Sequence, residues 1–298
     1  MLGLRAMTER LEIDALRALL AISTHGGVTR AAEHLALSQS AVSHRISRLE
    51  NSLDCKLLTR RSGAQGFTEA GLKLLDYAER MIDLHDEALA AVSKKSLSGT
   101  VRLGMTEDTT ISGIARILGR FTRLYPQIRV STRTGQSLNV QSWLKAGDID
   151  IAIMQVFDAD LRPDDTVLFD DRLYWVKSRD FTLDPSKSVP FLSFDTNCFY
   201  KEWAYQEGQS WGHRFHKVLE CPSAAGIQSA VRSGLGVAVL NGMHVTSDIE
   251  IVEGIFPAPP GITYIARTRS PKLDDASLAL IREIAREIQG ENPLRAVG

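Results

Sequence analysis

The sequence predicts an α/β protein in two parts: an N-terminal helical block closed by a short strand pair and one long helix, then a larger part in which strands and helices alternate. Three observations carry this. The 298 residues exceed the roughly 150 of one typical domain and favour two. Apolar residues recur at helical spacing as far as Val92 and in strand-like runs from Val101 onward. Between the patterns lies a polar break, Lys94-Lys95-Ser96-Leu97-Ser98-Gly99.

Taken in order, Ile13, Leu16, Leu19, Leu20 and Ile22 form a helical stripe that Gly26-Gly27 ends, glycine being at ease in the left-handed conformation. A short helix from Thr29 to Leu35 follows, then a tight connection at Ala36-Leu37. Ser38 is placed to cap a third helix by accepting from its free amides. In that helix Val42, Ile46, Leu49 and Leu53 share one apolar face, and Gln39, Ser40, Ser43, His44, Ser47 and Arg48 share the other, with Arg45 near its edge. Arg60 and Arg61 then fall on a Gly-containing turn between apolar residues. A long helix from Thr68 to Ser93 spaces Leu75, Ala78, Ile82, His85, Leu89 and Val92 three and four apart, the seam of a coiled coil.

Beyond the break, Val101–Met105, Ile128–Thr134 and Ile149–Ile153 read as strands, with helices over Ile111–Tyr125 and Val140–Ala146, and a packing helix over Leu273–Ile288. The alternation predicts a mostly parallel sheet, whose ligands bind in loops beyond the strands' carboxyl ends.

Composition excludes several classes. With 44% hydrophobic and 24% charged residues and no apolar run of the roughly 18 that a span requires, the chain reads as soluble, with no membrane partner. Glu9, Glu12 and Asp14 interrupt its first apolar stretch, which argues against a secretory signal and for the cytoplasm; Met7 is a candidate start. Cys55, Cys198 and Cys221 form no disulfide or zinc framework, while His213, His216 and Cys221 offer metal-capable atoms. No phosphate loop, nucleophile elbow or H-E-x-x-H motif points to an enzyme. A net charge of −1 makes any nucleic-acid binding local. Between Thr29 and Arg61 the bases Arg30, Arg45, Arg48, Lys56, Arg60 and Arg61 outnumber the acids Glu33, Glu50 and Asp54.

Short polar side chains in the first turns of the third helix suit close approach to base edges, and glutamine can pair with adenine through two hydrogen bonds. Short helix, tight turn and longer helix reproduce helix-turn-helix order. Thr29-Arg30-Ala31-Ala32, Leu35, Ser38-Gln39-Ser40-Ala41-Val42-Ser43, Ile46, Leu49-Glu50, Leu53, Arg60 and Phe67-Thr68-Glu69-Ala70-Gly71 together resemble the winged helix-turn-helix of LysR-type transcriptional regulators, with Leu58 where the pattern has Phe and Phe67 where it has Leu. Gly99, Val101–Gly104, Phe121, Tyr125-Pro126, Gly147, Asp148, Asp150–Ile153 and Ser233–Ala238 resemble that family's effector domain, which shares the two-lobed fold of periplasmic solute-binding proteins.

The resemblance implies a DNA-binding domain over 8–67, a linker and dimerisation helix with hinge over 68–97, and an effector domain over 98–298, with lobe one at 98–165 and 267–298 and lobe two at 166–266. Gln39, Ser40, Ser43 and His44 would face bases. Arg30, Arg45, Arg48, Arg60 and Arg61 would meet phosphates or, in the wing, the minor groove, with Thr29 and Ser38 supporting the motif. Thr106, Glu107, Asp108, Gln136, Ser137, Asp195, Thr196, Asn197, Cys198 and Ser223 would line a cleft for a small-molecule effector. An inward Glu107 or Asp108 would favour an amine or a ligand other than a simple acid. The implied partners are promoter DNA, that effector, a second copy in a dimer and further in a homotetramer, and RNA polymerase; the implied place is the nucleoid, and no other cofactor is implied.

Overall fold

The computed structural model describes residues 10–61, 64–92, 97–109, 113–184, 187–270 and 273–290. Met7, Lys94-Lys95-Ser96, Ser93 at the end of the long helix, Ile111 at the start of a predicted one, and the tip of the strand pair at 62–63 lie outside the described residues. The chain divides into two compact units between residues 96 and 97.

The first unit is built of α1 (Ile13–His25), α2 (Val28–His34), α3 (Gln39–Ser52), a hairpin of β1 (Leu58–Arg61) and β2 (Ala64–Phe67), and α4 (Glu69–Val92). Gly26 ends α1 at φ 70°. In the connection to α3, Ala36 holds φ 52°, a conformation that costs a residue bearing a Cβ about 1–2 kcal/mol. Ser38 Oγ then accepts from Ala41 N at 3.2 Å, the cap the sequence predicts. Leu16, Leu19, Ile22, Val42, Ile46 and Leu49 interdigitate in one core.

The hairpin departs from expectation in one respect: Arg60 and Arg61 belong to β1, their backbones opposite Gln65 and Ala64, rather than to the turn. Strand pairing continues to the end of the basic pair because the register from Leu58↔Phe67 has no break. Glu50 clips this hairpin to α3. Buried, its carboxylate accepts from Leu57 N (2.9 Å), Leu58 N (3.3 Å) and Lys56 Nζ (2.6 Å). Burial pushes the Glu50 carboxyl up, but the Lys56 ammonium and the two amides outweigh it and hold it below its ordinary value.

The Thr68-Glu69-Ala70-Gly71 motif also finds its reason here. Thr68 Oγ1 donates to Lys56 O (2.6 Å) and accepts from Gly71 N (3.0 Å), starting α4. A Cβ on Gly71 would stand 2.2 Å from Leu57 O, so only glycine permits that approach. Along α4 the predicted seam divides. Ala78 and Ile82 are buried in the unit's own core and Arg17 reaches Asp86 at 2.5 Å, whereas Leu89 and Val92 are exposed, as are Tyr77 and Leu84. The first half of the seam therefore packs within the chain, because α1 offers an apolar stripe beside it.

The second unit carries a nine-stranded sheet in the order β4-β3-β5-β11-β6-β9-β7-β8, with β10 beside β6. Its elements run β3 (Gly99–Met105), the single turn α5 (Glu107–Thr109), α6 (Ala115–Leu124), β4 (Ile128–Thr134), α7 (Ser137–Ala146), β5 (Ile151–Phe157), β6 (Thr166–Ser178), β7 (Val189–Ser193), α8 (Phe199–Ser210), β8 (Phe215–Glu220), α9 (Ala224–Arg232), β9 (Val237–Asn241), β10 (Ile249–Ile251), β11 (Gly261–Thr268) and α10 (Asp275–Gly290). The sheet is parallel only in its two wings, β4-β3-β5 and β9-β7-β8. In the middle, β6 and β11 run antiparallel to their neighbours. These two strands lie between the wings, and a chain that crosses from one wing to the other and returns must reverse direction. The lobe boundary placed at 266/267 falls inside β11, whose Ile262–Thr268 pair with β5.

Candidate functional sites

On α3, Ser38, Gln39, Ser40, Ser43, His44 and Arg48 are exposed and Arg45 is half-buried. One near neighbour steadies each longer side chain. Thr29 Oγ1 accepts from Gln39 Nε2. Arg30 Nη2 donates to Gly26 O at 3.0 Å, closing the carbonyl end of α1. Arg48 meets Glu12 at 2.8 Å and Arg45 meets Asp14 at 3.3 Å. These pairs are solvent-exposed and weak, so the guanidiniums can exchange a carboxylate for a phosphate at small cost.

The cleft residues of the second unit divide into those that meet and those that do not. Thr106, Glu107, Asp108, Gln136, Ser137 and Cys198 line one small void of about 10 Å³, room for a single water. Ser223 joins them by donating to Glu107 Oε1 at 3.1 Å, and Ala224 N donates to Oε2 at 3.1 Å. Asp195, Thr196 and Asn197 do not line the void. They turn on themselves, Asn197 N donating to Asp195 Oδ1, while Asn197 O accepts from Leu138 N. The next helix, α8, starts only at Phe199, after the Cys198 amide has closed on Asp195 O.

Four participants escaped the sequence reading. Asp108 is buried, and its carboxylate lies 2.5 Å from His244 Nε2, accepts from Gln155 Nε2 at 2.5 Å and accepts from Asn241 Nδ2 at 3.1 Å. Ser137 Oγ completes the chain by donating to Gln155 Oε1 at 2.9 Å. Tyr200 lines the same void, and burial holds its phenol well above the usual value, so it remains a donor. Burial likewise pushes the Cys198 thiol up to about 12, which leaves it a small apolar group at neutral pH.

The turn that carries His244 is anchored by Asp171. Its carboxylate accepts from Gly242 N and Met243 N, and burial holds it above its ordinary value. A Cβ on Gly242 would meet Asp171 Oδ1 at 2.5 Å. Elsewhere, His213 Nε2 faces Ile255 O and His216 Nδ1 faces Ser188 Oγ; among the described residues no group of three potential metal ligands occurs. No helix of the described residues is long and apolar enough to cross a membrane.

Comparison with known proteins matches both units. Residues 13–72 match the family described as bacterial regulatory helix-turn-helix protein, lysR family, and residues 94–289 match the LysR substrate binding domain. The HTH-type transcriptional regulator DgdR of Burkholderia cepacia is 28% identical over 281 residues, covering 93% of this chain and 95% of its own. PecT of Dickeya dadantii, also an HTH-type transcriptional regulator, is 25% identical over 260 residues, covering 86% of this chain and 82% of its own. Full-length BenM shares the fold with a TM-score of 0.51 at 19% identity, covering 95% of this chain and 98% of that one.

Proposed function

The chain belongs to the LysR family of transcriptional regulators, with a helix-turn-helix DNA-binding region and an effector domain, and on that premise we propose that α3 reads a promoter sequence while a small molecule in the void beside Asp108 sets the response. The observation that supports it most is the first two turns of α3: capped at Ser38, they expose Gln39, Ser40, Ser43 and His44, short or bidentate groups facing water above a buried Val42, Ile46 and Leu49. Gln39, Ser40, Ser43 and His44 face base edges. Arg30, Arg45, Arg48, Arg60 and Arg61 face the backbone, with Thr29 holding Gln39.

Two copies join through α4, where Tyr77, Leu84, Leu89 and Val92 remain exposed, and two such dimers form the tetramer. Within a cytoplasmic, nucleoid-bound assembly an effector favours one subunit arrangement by binding it more tightly than the other. That rearrangement changes the contacts open to RNA polymerase. The protein catalyses no reaction in this role.

Genome-wide binding by the tagged protein, beside a Gln39→Ala variant, tests this. We expect discrete promoter peaks that the variant loses or shifts. Diffuse occupancy by both proteins would overturn sequence reading by α3.

A further inference from the structure

Resting on the assignment of this void as the effector site, we propose that the N-terminus of α9 is an anion site whose occupant is the chain's own Glu107, and that small carboxylates compete with Glu107 for it. The helix receives no cap from its own Ser223 side chain. Instead Ser223 Oγ and Ala224 N each donate to one oxygen of Glu107, a residue 116 positions earlier. A free carboxylate is held at a helix N-terminus in the same way, by an amide and a hydroxyl backed by the positive end of the helix.

Beside this contact lie two groups with work left to do. Thr106 and Tyr200, 4% and 5% exposed, line the same void, and among the described residues Thr106 Oγ1 and Tyr200 OH have no hydrogen-bond partner. Buried hydroxyls are almost always satisfied. Both can donate to a ligand that extends past the position Glu107 holds.

Charge selects the ligand class. Among the described residues no lysine or arginine lines the void, and the Asp108 carboxylate is already served by His244, Gln155 and Asn241. An ammonium would therefore meet satisfied acids and the positive end of α9. A carboxylate substitutes for Glu107 charge for charge. Glu107 is half-buried at the rim, so its displaced side chain has water to enter. Its tether keeps it near the helix at high effective concentration, which makes the wild type a weak binder and Glu107 the residue that sets the threshold of response.

The test uses the full-length protein and its Glu107→Ala variant, which removes the equivalent of one acetate. Thermal unfolding is followed with sodium acetate or with methylammonium chloride at matched ionic strength. We expect acetate at ten times its Kd to raise the Tm of E107A by about 3 °C, wild type to respond less, and methylammonium to act on neither. A folded E107A that answers acetate no more than wild type overturns the site. Should E107A fail to fold, Glu107→Gln keeps the shape and loses the charge. Its acetate response must then exceed that of wild type, and an equal response also overturns the site. Promoter footprints on the same samples separate the two readings: an acetate-dependent Tm with an unchanged footprint upholds the anion site and counts against the effector role from which it started.

Discussion

Gln39 and Arg48 stand exposed on α3, each with one neighbour, Thr29 or Glu12. Asp108 is buried, and its three partners come from β5, the end of β9 and the turn after it. Both regions are polar and both are proposed here to serve recognition, yet they are built on opposite terms. A surface that must meet a large polyanion keeps its groups hydrated until contact, since exposed pairs add little stability and exchange readily. A cleft inside a sheet protein has little water to spend, so most of its polar groups pair with one another, Thr106 Oγ1 and Tyr200 OH being exceptions among the described residues. Substitutions in the first region should therefore alter binding and spare the fold, and those in the second should alter both.

The largest effect should come from Asp108→Ala, which leaves Gln155 Nε2, Asn241 Nδ2 and His244 facing a gap. Removing one member of a buried charged set costs about 3–5 kcal/mol, to be read from chemical denaturation of the full-length protein. A loss below 1 kcal/mol would mean that the cleft behaves like a surface, and the contrast would fail.

Gly71→Ala sharpens the comparison from within the first unit. In an exposed helix this change gains about 1 kcal/mol. Here the new Cβ would stand 2.2 Å from Leu57 O, so we expect a net loss of about 1–3 kcal/mol from strain. A stabilised variant would show that α4 is free to shift on the hairpin.

Glu50→Gln addresses a carboxylate buried on the inner face of α3, and we expect a cost of about 1–2 kcal/mol from weakened bonds to the Leu57 and Leu58 amides. Its folded value lies below the ordinary 4.5. The stabilisation is therefore complete above that ordinary value and disappears as pH falls through the lower, folded one. Hydrogen exchange at Leu57 and Leu58 should lose protection on acidification in wild type. In E50Q protection should be lower throughout and flat across the same range.

The same contrast governs what could be read in advance. The first unit was legible because its signals are local: the 3.6-residue period of Val42, Ile46 and Leu49, the cap at Ser38, the glycines after α1. Glu50 lies within that period too, but its partners Leu57 and Leu58 sit beyond a turn, so its role as a clip did not show. In the second unit the first three strands and the loops at Thr106–Asp108 and Gln136-Ser137 were visible. The assembly was not, because Asp108 and His244 are 136 positions apart. One signal was available: Gln155 interrupts the apolar strand Ile151–Phe157 and Asn241 ends Val237–Asn241, and a polar residue on a buried strand requires a partner. The antiparallel centre escaped because alternation of strand and helix describes the wings, whereas β6 and β11 are set by the passage of the chain from one wing to the other and back.

Arg48→Ala should give the smallest change in stability and the plainest separation of the two regions. Arg48 and Glu12 are 60% and 49% exposed at their side chains, so losing the pair should move unfolding by no more than about 0.5 kcal/mol. Affinity for specific and random duplexes should fall together, and the slope of log K against log salt should flatten by about one, as for the loss of one phosphate contact. Because Arg48 must leave Glu12 to reach a phosphate, Glu12→Gln should act in the opposite direction and tighten binding slightly. If both variants left DNA affinity untouched, the pair would be a fixed brace between α1 and α3 and not a contact that Arg48 exchanges for a phosphate.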